Sequence, residues 1–229
     1  MNLQNTKKLD SPVWHSLNES HKTFSLAYHD LKCYEVDYCA FGGCKPAKHV
    51  SGAIDEYSKL IDNFFIVGDK PDHSSNIDLK KELICLQMLI ERRIDAAIHG
   101  EIIKLDEGHH QELFELVNLV QPGYFKKKTM LLGDYYGIFK NGILVSVTGE
   151  RMQMSDFTEV SAVVTHPDHT GKGYAKQLIA HTVNKIFEKN KVPFLHVAET
   201  NTGAIRLYEK SGFTLRRKIS FWNFQRKNK

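Results

Sequence analysis

Cysteine and proline are scarce in this chain, and no long apolar run occurs. Four cysteines in 229 residues, Cys33, Cys39, Cys44 and Cys85, none at CxxC spacing, argue against the disulfide framework of a small secreted domain. Cys39, Cys44 and His49 are the one trio close enough in sequence to suggest zinc; buried or free thiols are the simpler reading, and no metal is expected. The longest apolar stretch, near Leu83 to Ile90, is broken by Gln87 and falls far short of a membrane span, and the opening MNLQNTKKLDS lacks an apolar signal core. A cytoplasmic address without a membrane partner is the expectation. Two phosphate signatures are also missing. There is no GxxxxGK(S/T), which argues against a P-loop, and no third glycine at dinucleotide spacing.

Neither sign of charge dominates: 31 Lys and Arg stand against 27 Asp and Glu, net +4. The distribution is uneven. Residues 99–229 carry net +6 and residues 1–98 net −2, which is consistent with an anionic ligand on the second half and equally expected of many surfaces. Arg216, Arg217, Lys218, Arg226, Lys227 and Lys229 come without an aromatic stacking platform or a recognition-helix pattern. They read as a solvated end strand and tail, not as a nucleic-acid surface. With 41% hydrophobic residues the chain is long enough for one large or two small cores.

What is present centres on EVSAVVTHPDHTGKGYAKQLIA, from Glu159 to Ala180. Val160, Ala162, Val163 and Val164 form an apolar, mostly β-branched run of the kind a buried strand needs, and Pro167 ends it. From Ala175 the period changes: Leu178, Ile179, Val183, Ile186 and Phe187 recur at helical spacing opposite Lys176, Gln177, Asn184, Lys185 and Glu188. Gly171 and Gly173 lie between, where backbone NH groups at a helix start can meet an anion. The alternative is a ligand-free loop leading into a helix.

The strand and turn, with Thr165, Pro167, Thr170, Gly171, Gly173 and Ala175 in order, resemble the GCN5-related N-acetyltransferases (GNATs), in their FR47-like branch. A second segment, PFLHVAETNTGAIRLYEKSGF from Pro193 to Phe213, is similar to the family's strand, Asn, amphipathic helix and Gly-Phe closure. The resemblance covers roughly residues 100–224. It implies a mixed, mostly antiparallel α/β sheet flanked by helices, binding acetyl-CoA and acetylating a small-molecule or peptide amine. It also implies that the pyrophosphate meets Thr170, Gly171, Lys172, Gly173, Tyr174 and Ala175, and that the pantetheine arm follows Val163, Val164 and Thr165 and meets Asn201. Thr170 stands where the family usually has Arg or Gln, so a phosphate contact there is weaker or supplied by Lys172.

Residues 99–229 are expected to form the transferase domain: strand Glu101 to Leu105, helix His109 to Val120, a hairpin of Tyr135 to Lys140 and Ile143 to Glu150 around Asn141-Gly142, then the two segments above. Tyr135, Tyr136 and Phe139 read as core. Residues 1–98 read as helix Pro12 to about 30, helix Ala47 to Ile61, strand Phe64 to Val67, the loop DKPDHSSN and strand Glu82 to Ile90. With no second glycine turn, they are expected to be a degenerate, cofactor-free copy of the fold's front half packed on the second half, or an accessory half.

Amide formation needs a route for the amine proton and help for the departing thiolate. By the resemblance, Glu159 takes the base position; apolar neighbours are expected to raise its pKa, the alternative being an ion pair with Lys or Arg. Glu150 and His196 are the runners-up. Tyr208, seven residues after Asn201, takes the position of the phenol beside the thioester sulfur, unless it is a core residue. Asn201 also reads as a helix cap and Gly212 as a helix end. All four cysteines precede Gly100, and neither Ser161 nor Ser211 has an evident His and acid partner, so direct attack is expected over an acyl-enzyme. A non-catalytic acyl-CoA sensor or interaction module would keep the turn and need neither Glu159 nor Tyr208. The acceptor pocket is expected from the Gln121 to Met130 loop and N-terminal elements.

Overall fold

The computed structural model describes residues 3–45, 49–97 and 99–227. Its first half contains α1 (Pro12–Asn18), β1 (Ser25–Tyr28), β2 (Leu31–Tyr34), β3 (Phe41–Cys44), α2 (Ser51–Tyr57), β4 (Asn63–Val67) and β5 (Ile77–Leu89). The second contains β6 (Ile103–Leu105), α3 (His110–Val120), β7 (Tyr135–Lys140), β8 (Ile143–Gln153), β9 (Phe157–Thr165), α4 (Tyr174–Glu188), β10 (Val192–Ala198), α5 (Thr202–Lys210) and β11 (Thr214–Arg226). All eleven strands pair into one sheet, ordered β1-β2-β3-β4-β11-β5-β10-β9-β8-β7-β6. Only β3 with β4 and β9 with β10 are parallel, so the sheet is mixed and mostly antiparallel.

The two halves interleave. β5 lies between β10 and β11 and pairs antiparallel with both, while β11 also pairs with β4. The chain must then travel from mid-sheet to the far edge before β6. It does so along α4, where Asn184 Nδ2 donates to the Ile94 carbonyl (2.9 Å), the Ile94 amide donates to Asn184 Oδ1 (3.0 Å), and the His99 amide donates to Gln177 Oε1 (2.6 Å).

Local sequence explains the second half well. Leu178, Ile179, Val183 and Ile186 are the buried stripe of α4, clustered with Val160, Leu195 and Val197 of the sheet or with Tyr136, Ile138 and Val145 beside it. Asn141 and Gly142 have φ of 52° and 77°, the left-handed pair a type I′ turn requires. At the end of α5, Phe213 N donates to Tyr208 O (3.0 Å) and Gly212 N to Glu209 O (2.9 Å), with Gly212 at φ 99°; this double bond satisfies the last carbonyls.

The first half departs from expectation. α1 stops at Asn18 instead of continuing to about residue 30, and Ser25–Tyr28 becomes β1. β1 to β3 were not legible in the sequence. In β3 the Gly42-Gly43 pair argues against a strand by propensity, yet a Cβ at Gly43 would stand 2.6 Å from the Trp14 amide nitrogen, so the close packing of α1 requires glycine. The helix read over Ala47 to Ile61 is reduced to Ser51–Tyr57, and Ala47 lies outside the described residues. Strand β5 begins five residues before the expected Glu82, at Ile77.

Among the basic residues read as a solvated end strand, Arg216 is partly buried, while Arg217 and Lys218 are exposed but ion-paired. Arg216 Nη2 donates to Asp10 Oδ1 (2.7 Å) and Thr6 O (2.8 Å), Arg217 Nη1 to Asp10 Oδ1 (2.8 Å), and Lys218 to Glu199 Oε2 (2.7 Å). Lys229 lies outside the described residues. Among the described residues no three His, Cys, Asp or Glu side chains converge as metal ligands, Cys39, Cys44 and His49 included, and no helix is long and apolar enough to cross a membrane.

Candidate active site

β9 and β10 start side by side and then part. Their pairing covers Phe157 to Glu159 against Val192 to Phe194 and ends there. An extra residue on β9 shifts its register with β8 between Val147 and Gly149, and Ala162 takes φ 49° at that bulge. The gap holds a cavity of about 280 Å³. Glu159 and the next residue, Val160, point to opposite faces of the sheet, and both line it. The cavity therefore passes through the sheet where the strands separate.

On the face of α4 and α5 the cavity meets Val160 and Tyr208; on the other it meets Glu159, Arg151, His196 and Phe41. Glu159 is 1% exposed and accepts four donors: Arg151 Nε (2.8 Å) and Nη2 (2.9 Å), His196 Nδ1 (2.8 Å), and more distantly the Met152 amide (3.5 Å). Burial alone would raise its pKa, but the Arg151 charge and the His196 and Arg151 hydrogen bonds outweigh burial and hold it at about 2. The expected upward shift is thus reversed, because Arg151 falls on the same face of β8, the strand paired directly with β9. The carboxylate's lone-pair sites are filled.

His196 is fixed at its second nitrogen. Gln87 Nε2 donates to the Leu9 carbonyl (2.8 Å), and Gln87 Oε1 accepts from Arg216 Nη1 (2.8 Å), which settles the amide's orientation. Its other hydrogen therefore points at His196 Nε2, 3.0 Å away. His196 accepts there and donates from Nδ1 to Glu159, a neutral ring with both nitrogens engaged.

The turn after β9 runs Pro167–His169, Thr170, then Gly171 and Gly173 at φ 75° and 76° before α4. At both glycines an added Cβ would meet nothing within 4 Å, and the left-handed backbone needs glycine. Among the described residues the amides of Gly171 to Lys176 have no protein acceptor, so several NH groups gather at the positive end of a 15-residue helix. Thr170 Oγ1 is turned back onto the Pro167 carbonyl (3.1 Å), and Thr165 Oγ1 pairs with Ser146 Oγ (2.7 Å). Asn201 Oδ1 accepts from the Ala204 amide (3.1 Å), capping α5.

Among curated proteins none matches the chain. The family model for FR47-like protein matches residues 135–222. A solved structure from Novosphingobium aromaticivorans, described as an acetyltransferase of the GNAT family, superposes with a TM-score of 0.88 at 26% identity over 96% of this chain and 99% of its own. Residues 135–222 thus carry an FR47-like segment, and the whole chain has the fold of the GCN5-related N-acetyltransferases. A GNAT from Kribbella flavida shares the fold at 12% identity (TM-score 0.63, covering 100% and 98%), as does a GNAT-like protein from Streptococcus suis at 15% (0.64, 98% of each).

In this structure, Val163, Glu159, His196 and Tyr208 meet at the cavity, while Gly171 to Ala175 lie at the helix start and Asn201 caps the neighbouring helix. Val164 is buried beneath the strand. Glu150 does not join them: it lies on the opposite face from Arg151, fully buried, salt-bridged to Lys189 (2.7 Å), with burial raising its pKa against that partner. Tyr208 is 8% exposed, and burial, with the nearby Glu159 charge, raises its hydroxyl to about 12.

Sequence reasoning missed Arg151 and Gln87. Neither belongs to a motif: Arg151 reaches Glu159 through the β8 to β9 register, and Gln87 arrives on the inserted β5. Gln121 and Tyr124 of the 121–130 loop and Phe41, Leu83 and Cys85 of the first half line the cavity. A larger groove of about 820 Å³ lies between Ser20–Phe24 and Met130–Asp134. It has neither parted strands nor a glycine turn, so the smaller cavity is the candidate site.

Proposed function

We propose that the protein transfers the acetyl group of acetyl-CoA to an amine by direct attack, in the cytoplasm, with residues 99–229 carrying the transferase site and residues 1–98 completing it. The observation that carries this reading is that β9, which lines the cavity where it parts from β10, leads directly into a turn whose amides from Gly171 to Lys176 lack protein acceptors among the described residues. Those amides suit the pyrophosphate, with Lys172 nearby in place of the family's Arg or Gln. The pantetheine arm follows Val163 to Thr165, and Asn201 keeps its amide nitrogen for it. The amine nitrogen attacks the thioester carbonyl; an N–C bond forms and the C–S bond breaks. Tyr208 stays protonated and donates a hydrogen bond to the departing thiolate, whose conjugate acid is near pKa ~8.5. Glu159, with all its lone pairs engaged, acts as the fixed negative pole that orients Arg151 and His196 rather than as proton acceptor.

Calorimetry with acetyl-CoA and a CoA-release assay test this together. Wild-type protein should bind acetyl-CoA, and Gly173→Glu should abolish binding by strain and repulsion. Tyr208→Phe should lower kcat about ten- to a thousandfold with acetyl-CoA affinity nearly unchanged. Failure of acetyl-CoA to bind, or binding indifferent to Gly173→Glu, refutes the reading. The locked state of Glu159 and His196 favours one second reading, a non-catalytic acyl-CoA sensor; binding without CoA release on any amine would select it.

A further inference from the structure

Every charge that reaches the cavity is cancelled within the protein. Arg151 and Glu159 hold each other through two hydrogen bonds of 2.8 and 2.9 Å. His196 is a neutral ring between Glu159 and Gln87. The other ionisable groups on the wall, Cys85, Tyr124 and Tyr208, are buried or half-buried and kept in their neutral forms by burial. Most of the remaining wall is apolar, with Phe41 and Phe221 on one face and Val160 and Val163 along β9. No unpaired carboxylate faces the space.

An ammonium entering such a cavity would surrender its hydration and find no counter-charge, whereas an uncharged amine loses far less. The volume, about 280 Å³, lies below the ~300–1,000 Å³ of drug-sized sites, so the group that enters is small. The chemistry also balances without a resident base. A free amine brings two N–H bonds; as the N–C bond forms and the C–S bond breaks, the proton shed by nitrogen equals the one taken up by sulfur, and no net proton leaves the site.

The geometry points to an acceptor that is a small primary amine on an apolar or aromatic body, admitted as the uncharged free base. This rests on the acetyl-transfer reading and names its substrate class. The full-length protein is first titrated with acetyl-CoA by calorimetry, then assayed for CoA release with a weakly basic arylamine, a phenylalkylamine and an aliphatic diamine. The arylamine and phenylalkylamine should turn over, with kcat/KM for the diamine about a hundredfold lower. The phenylalkylamine's kcat/KM should rise about tenfold per pH unit from about pH 6 to 8, following its free base, while the arylamine's, uncharged throughout, stays flat. That control separates the amine's titration from any in the protein. Tyr124→Glu, at a half-buried wall position, should move the diamine-to-arylamine ratio at least about tenfold toward the diamine by supplying the missing anion.

A diamine turned over as fast as the aromatic amines, a flat phenylalkylamine profile, or acetyl-CoA binding with none of the three amines acetylated overturns the substrate class. No acetyl-CoA binding at all instead overturns acetyl transfer itself, and this inference with it.

Discussion

The strands after residue 100 frame the glycine turn, the parted β9 and β10 and the capped α5, whereas those before residue 98 carry no motif and are mostly short. Yet β5 occupies the middle of the sheet, and Phe41, Leu83 and Cys85 form wall of the cavity opposite Tyr208. The half with the recognisable motifs does not line the candidate cavity alone. The difference teaches that motif density reports where a ligand's backbone contacts lie, while the surroundings of the reacting end depend on residues brought from elsewhere by strand pairing.

The strongest way to break the comparison is to separate the halves. Residues 99–229 expressed alone should fail to fold, because β11 loses both neighbours and β10 loses β5; co-expressed with residues 1–98 they should regain a cooperative thermal transition by circular dichroism. A folded, cooperative 99–229 fragment would contradict the interleaving. Next in size is Arg151→Met, which strands a carboxylate that is 1% exposed. Denaturant melts should show a loss of about 3–5 kcal/mol, largely recovered in Arg151→Met with Glu159→Leu. If the single variant costs under about 1 kcal/mol, the ion pair is not the buried neutral unit described above.

A third effect sits at the seam between the halves. His21 Nε2 bonds the Leu132 carbonyl (2.9 Å) and Nδ1 bonds Tyr34 Oη (2.9 Å), and burial, opposed by the Leu132 bond, lowers its pKa from 6.5 to about 4. The folded protein therefore resists the proton that the unfolded chain accepts. Stability from this residue is complete above about pH 6.5 and is lost as pH falls to about 4, on the order of 3 kcal/mol. His21→Gln should flatten that part of the pH-stability curve relative to wild type; an unchanged slope would count against it. The smallest effect lies wholly in the second half: Asn201→Ala removes the cap on Ala204 and should cost about 1 kcal/mol in a thermal melt.

What could be read from the sequence were features encoded within about twenty residues: the period switch at Pro167 to Ala175, the Asn141-Gly142 hairpin, the cap and closure of α5. What could not were features set by register. Glu150 and Arg151 are adjacent, and which one meets Glu159 depends on alternation across β8 and β9 and on bulges between Val147 and Gly149 and between Glu150 and Gln153. The sign of the Glu159 shift follows from that register, so burial could be anticipated and its partner could not. Likewise β1 to β3 are four residues each, and Gly42-Gly43 hides a close helix contact behind poor strand propensity.

The position of β11 also has a consequence during synthesis. Thr214 lies 125 residues beyond its partner Leu89, and β11 leaves the ribosome after the other ten described strands although it closes the gap between β4 and β5. Until then both of those strands present unpaired edges, β4 with the buried run Phe64 to Val67. At roughly 5–20 residues per second the nascent chain holds them open for many seconds, a window in which chaperone shielding should determine yield more than the stability of the finished fold does.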